Sequence, residues 1–270
     1  MTDVARTQRE FLSSPLANLA AVASRPRSLA IGCIIIVSAV GWVYLALAHA
    51  GGAALLDAIC SASGISATAR DISLVFGMWI AMTFAMMLPN AAPMVLTYSE
   101  IADTAARKEV GVVSPFVLVA GYTTVWLGFA IMAALAQASL ASTNLLSPPP
   151  ALLSSAAFVA AGLYQFSSVK HACLRLCRAP FPFFFSNWQT TKRGVFRLGM
   201  QQGLFCLGCC WAAMALMLVV GVMNVFWMAA LGALLTAERL VTGAWLTRAT
   251  GAGLIGFGAY LALGAGAGLG

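Results

Sequence analysis

The stretch Gln201-Gln202-Gly203-Leu204-Phe205-Cys206-Leu207-Gly208-Cys209-Cys210-Trp211-Ala212-Ala213-Met214 gathers three thiols, two amides and a thioether inside an apolar run from about Arg197 to Val222. A run of that length meets the roughly 20 residues a helix needs to cross a bilayer. Its reading decides the fold: as a helix, it is a membrane span that carries soft and polar chemistry within it. Helical spacing puts Gln202, Cys206 and Cys209 or Cys210 on one face, and Met214 and Met217 extend that face. Such a stripe can line a site for copper(I) or, through thiolates, for zinc or an iron–sulfur centre. Cysteine and methionine are also common fillers of helix interfaces, and small residues let membrane helices approach closely, so the same stripe is equally a packing surface.

Composition agrees with a membrane setting. Of 270 residues 61% are hydrophobic and 9% are charged, against the roughly 25% charged residues of a soluble domain. The formal charge of +7 does not point to nucleic acid, because the cations flank apolar runs, where they orient helices. Seven cysteines, several of them within apolar runs, do not have the spacing of a secreted disulfide framework.

Working outward from the central stretch, the expected fold is all-α, a polytopic transmembrane bundle of about six to seven spans. Residues 1–28 read as a polar cytoplasmic tail and residues 29–270 as a single helical membrane domain. The run from Ser28 to Ala50 is longer than the roughly 7 to 15 residue apolar core of a signal peptide, so it reads as an uncleaved first span. Gly51 to Arg70 is an expected external loop. The second span, about Ile72 to Thr97, carries Met78, Met82 and Met86 at helical spacing and then Pro89, Asn90 and Pro93. Each proline removes a backbone donor, which predicts a polar kink near Asn90 whose freed carbonyls need partners.

Tyr98 to Ser114 reads as an amphipathic cytoplasmic connection, Pro115 to Leu140 as a third span, Ala141 to Pro150 as an external turn and Ala151 to Val169 as a fourth span. Lys170 to Arg197 contains six cations and no acid, so the positive-inside rule makes it and the N-terminus cytoplasmic. This loop holds His171, Cys173 and Cys177, too few donors for a closed structural metal site, so interface packing is the simpler reading of them. Gly221 to Asn224 turns the chain, a sixth span runs through Trp227 and Met228 to Glu238-Arg239, and a glycine-rich seventh runs from Thr250 to about Leu269.

Depth then indicates which residues can meet. Counted from the cytoplasmic ends of their helices, Cys206 and Glu238 each lie on the order of 12 to 14 Å deep at 1.5 Å per residue, and Asn90 reaches a similar level. An acid inside a membrane is costly unless paired, which makes Glu238 a functional candidate, with an ion pair to Arg239 or Arg248 as its structural alternative.

The methionine block from Met78 to Pro93, the block Lys170 to Pro180 and the run from Gly203 through Cys206-Leu207-Gly208-Cys209-Cys210-Trp211 to Glu238 resemble a bacterial domain-of-unknown-function family described as predicted metal-binding integral membrane proteins. The resemblance spans about Ile72 to Gly256, and its specific part is the Cys-x-Gly-Cys-Cys-Trp signature. It implies a multi-helix membrane protein with a metal site. Members of that family usually place a histidine before the motif glycine; this chain has Gln202, a far weaker metal donor.

The expected site is an intramembrane soft-metal centre with copper as the metal, drawing on Cys206, Cys209 and Cys210 as thiolates, Met82, Met86 and Met214 as thioethers, Gln202 at the family's histidine position and Glu238 as compensating charge or proton acceptor. Cys209 and Cys210 diverge by about 100° around a helix, so one of them is expected to join Cys206. Zinc wants about four donors and fits a chain this poor in histidine less well. Three functions stay open: copper handling or transfer with a metal-donating or metal-receiving protein partner in the lipid bilayer, a metal-dependent membrane oxidoreductase, and a structural subunit without metal.

Overall fold

The computed structural model describes residues 26–50, 69–142, 151–220 and 225–266. The expected tail, the loops before Arg70 and before Pro150, and the turn at Gly221 to Asn224 lie wholly or mostly outside them. Within them the chain is all-α: α1 (Pro26–Ala50), α2 (Ala69–Met86), a 3-10 turn (Pro89–Ala91), α3 (Ala92–Arg107), α4 (Pro115–Ser142), α5 (Ala151–Gln165), α6 (Ser168–Arg178), α7 (Pro180–Ser186), α8 (Lys192–Val220), α9 (Val225–Leu240) and α10 (Trp245–Gly266).

Among the described residues four helical stretches are long and apolar enough to cross a membrane: Ser28–Leu47, Val75–Arg107, Pro115–Ser139 and Lys192–Met217. A fifth arises if α5 and α6, bent by 60°, form one broken span. This corrects the expected six to seven. The sixth expected span is α9, whose 16 residues reach about 24 Å, short of a hydrocarbon core of about 30 Å. The seventh, α10, has 22 residues, but Thr247, Arg248 and Thr250 and its glycines dilute its apolar character.

The outer faces are apolar. Ile35, Ile36, Val40 and Leu47 of α1 are exposed, as are Leu135 of α4 and Tyr260 and Leu263 of α10. A soluble domain would turn such residues inward. The main cluster of the interior holds Met78, Trp79, Met82, Met86, Met87, Tyr122, Trp126, Cys206, Met214 and their neighbours, and a smaller one joins Ala161, Ala212 and Leu216.

The break after α2 has a full set of partners. Pro89 cannot donate to the Ala85 carbonyl, which accepts from Trp42 Nε1 at 3.0 Å instead. Ser38 donates to the Phe84 carbonyl at 3.1 Å, Asn90 Nδ2 to the Met86 carbonyl at 2.8 Å and the Tyr122 hydroxyl to the Met87 carbonyl at 2.8 Å. Carbonyls freed at membrane depth are thus closed by side chains of α1, α4 and the turn itself.

Helix α8 seats on α4 backbone to backbone. A Cβ on Gly199 would collide with the Leu118 carbonyl, and one on Gly121 with the Phe196 carbonyl. Only glycine at these crossings permits so close an approach, and it sets Tyr122 beside Cys206. On the other flank α5 pairs with α10, where Ser155 donates to the Gly258 carbonyl at 2.7 Å.

Candidate metal-handling centre

Cys206, Cys209 and Cys210 lie on α8 and are 1%, 3% and 2% exposed. Cys209 and Cys210 each turn back along the helix and donate to the Cys206 carbonyl, at 3.1 and 2.7 Å. The phenol of Tyr122 lies 2.9 Å from Cys206 Sγ while also donating to the Met87 carbonyl, so it ties the thiol to the broken α2–α3 segment.

The group that reaches into the thiols is Arg239, in the last turn of α9. Its Nη2 donates to Cys206 Sγ and lies 3.6 Å from Cys209 Sγ and 3.9 Å from Cys210 Sγ, while Nη1 lies 3.4 Å from the Asn90 carbonyl. Thr236, one turn earlier, approaches Asn90 Oδ1 at 3.3 Å. Among the described residues no carboxylate pairs with this guanidinium; its ionisable neighbours are Cys206, Cys209, Tyr122 and Cys210. A cation inside such a bundle needs counter-charge or hydrogen bonding, and here Cys206 Sγ and the Asn90 carbonyl accept from it.

Glu238 faces elsewhere. Its Oε2 accepts from Lys170 Nζ at 2.8 Å in an ion pair with both side chains 2% exposed. The neighbouring Arg178 caps the end of α9, donating through Nε to the Glu238 carbonyl at 3.0 Å and through Nη1 to the Gly243 carbonyl at 2.9 Å. The negative charge expected beside the sulfurs therefore balances Lys170 of α6.

The other expected residues are buried in the same interior. Met82 and Met86 are 1% and 3% exposed and Met214 is 0% exposed; Met86 rests against Gly232 of α9. Gln202 is buried one turn before Cys206, and its Nε2 has no hydrogen-bond partner among the described residues. The outer edge of the motif is held by α5, whose Tyr164 donates to the Gly208 carbonyl at 2.5 Å and packs edge-on against Trp211.

Two further sulfurs come from α6. Cys173 Sγ lies 2.6 Å from where a Cβ on Gly208 would be, and Cys177, also partly buried, packs against the same core. Interface packing, the sequence reading of these two cysteines, agrees with where both lie. Among the described residues no three His, Cys, Asp or Glu side chains are disposed to hold a metal ion together. The reason is visible in the geometry: two thiols are turned onto a carbonyl, and a guanidinium stands among them.

A family model described as a copper chaperone, PpoB2, matches residues 76–261. The chain belongs to this copper chaperone family. The matched region contains the methionine block, the α6 cysteines, the Cys206 to Trp211 motif and Arg239. Membership relates the chain to copper and its transfer, in keeping with the metal-binding character that the sequence resemblance implied. No curated protein and no solved structure matches.

Proposed function

We propose that the chain is a membrane-embedded copper chaperone whose cargo, copper(I), is held by Cys206 with Cys209 or Cys210 and is passed to or from a soft-donor partner protein. The observation that carries this reading is the Arg239 guanidinium among the three cysteine sulfurs without a carboxylate. Two thiolates around copper(I) bear a net charge of −1, and Arg239 brings the assembly to zero. A neutral cluster is the form that a low-dielectric interior tolerates. Soft thiolates select copper(I) over harder ions, and a two-sulfur site asks for fewer donors than a closed zinc site.

Loading requires little movement. One of the thiols now donating to the Cys206 carbonyl rotates about χ1 toward Cys206, both thiols give up their protons to the ligands that copper(I) leaves on its donor, and the guanidinium changes from thiol partner to counter-ion of the complex. Met82, Met86 and Met214 offer thioethers in the same interior, and Gln202 stands where an imidazole would add a stronger donor. The cationic segment from Lys170 to Arg197 supports a cytoplasmic-membrane location with that segment and the N-terminus in the cytoplasm.

The test is anaerobic copper(I) titration of the purified full chain. About one tightly held copper per chain is expected, lost in Cys206→Ser with the protein still folded. Equal retention in both proteins would assign the sulfurs to packing.

A further inference from the structure

Helix α6, the short α7 and the first turns of α8 carry cations and exposed phenylalanines that the thiol cluster does not use. Pro180 opens α7 with its backbone angle already set for a helix, and the aromatic run behind it is sorted into inner and outer rings. Phe184 is buried and meets the Tyr98 ring edge-on at 5.8 Å, while Phe183 meets Phe205 of α8 edge-on at 5.8 Å. Trp188, just beyond α7, stacks on Tyr98 at 5.3 Å. These contacts set the rotation of α7 and leave Phe181 and Phe185, one turn apart, pointing outward. The two rings are 54% and 70% exposed and stack on each other at 5.9 Å.

On either side of this pair in the chain stand Arg175 on α6 and Lys192, Arg193 and Arg197 on α8, all exposed. Lys170 and Arg178 are engaged at the end of α9, but among the described residues no carboxylate meets any of these four. The acids of the adjoining α3, Glu100 and Asp103, lie about 200° and 140° around that helix from Tyr98, which receives α7. The segment also lies where apolar helices begin. Gly111, before α4, rests against Thr190, before α8, and Phe116 and Leu204 of those helices are exposed. Exposed rings next to unpaired cations at the ends of spans complement a leaflet of anionic lipid, whose acyl boundary takes the rings and whose phosphates take the cations.

We infer that the segment from Arg175 to Arg197 binds anionic phospholipid, with Phe181 and Phe185 among the acyl chains and Arg175, Lys192, Arg193 and Arg197 on the phosphates. The inference shares with the proposed function its placement in a membrane and nothing of its copper chemistry.

The experiment follows thermal unfolding of the full chain in a neutral detergent with dioctanoylphosphatidylglycerol, dioctanoylphosphatidylcholine or inorganic phosphate added at one concentration. A ligand of the folded chain raises the unfolding temperature by mass action. Phosphatidylglycerol is expected to raise it by about 3 °C or more, and the other two to leave it nearly unchanged. Arg175→Gln, Lys192→Gln and Arg193→Gln together should abolish the rise, and Phe181→Ser with Phe185→Ser should weaken it. Should the triple variant fold poorly, Lys192→Gln with Arg193→Gln, confined to the first turn of α8, should still diminish the rise. An equal rise with phosphatidylcholine would make the patch a general apolar surface, an equal rise with phosphate would make it a plain anion site, and no rise would leave it to a protein partner. Each of these overturns the inference, as does a full rise in the triple variant. Loss of the chain from phosphatidylcholine and phosphatidylglycerol vesicles washed in alkaline carbonate would overturn the shared membrane placement itself, so the two failures are told apart.

Discussion

Glu238 and Arg239 are neighbours on α9, yet one faces Lys170 and the other faces the cysteines, because successive residues of a helix point about 100° apart. The rotation of α9 about its own axis decides which of them meets the cysteine sulfurs. Arg239 is then the residue whose loss should be felt at the site without any sulfur being touched. Arg239→Gln leaves a bis-thiolate complex with an uncompensated charge, and removing one partner of a buried pair costs about 3–5 kcal/mol. The expected outcome is a copper(I) dissociation constant raised by about 10²-fold or more, measured by competition with a chelator. Arg239→Lys should recover part of that loss, since it restores charge but not the planar fork of donors. Undiminished affinity in Arg239→Gln would remove the guanidinium from the account. The thiol cluster, the level shared by Cys206 with the end of α9, and the polar break at Asn90 could all be read from spacing alone. The exchange of Glu238 for Arg239 could not, because it depends on Lys170 and Arg178, some 60 or more residues earlier in the chain. A basic residue with no acid free to pair with it, at the end of an apolar helix, was the available signal.

At the scale of elements, α6 is held to α9 by a buried ion pair and by Arg178 on the Glu238 carbonyl, with a further hold on the Gly243 carbonyl just beyond α9. The Lys170–Glu238 pair joins α6 to α9. Glu238→Gln strands a buried ammonium and is expected to lower stability by about 3–5 kcal/mol, read as a fall in the temperature at which the detergent-solubilised protein loses its fold. Whatever remains folded should still bind copper, unlike Cys206→Ser. The paired substitution Lys170→Met with Glu238→Leu should restore most of the stability, since apolar replacement of a whole buried pair is often neutral or favourable. A normal unfolding temperature for Glu238→Gln would contradict the clamp. The prolines announced the break between α2 and α3, but not who would close it. Trp42 and Ser38 of α1 and Tyr122 of α4 supply the donors, and such distant pairings leave no trace in local periodicity.

At the scale of the molecule, hydropathy located the apolar segments but not the ends of helices. Helix α5 stops at Gln165 and bends into the cationic α6, and α9 is only 16 residues long, so runs that look like spans in sequence are short or broken in space. α9 brings the Arg239 guanidinium, and α6 the Cys173 sulfur, to the motif on the long α8. The central claim is that copper(I) sits on sulfur at Cys206. X-ray absorption at the copper edge of the loaded full chain tests it most directly. The account predicts monovalent copper in a low-coordinate, sulfur-only shell that disappears in Cys206→Ser; a shell of nitrogen and oxygen, or a sulfur shell untouched by that substitution, would contradict it.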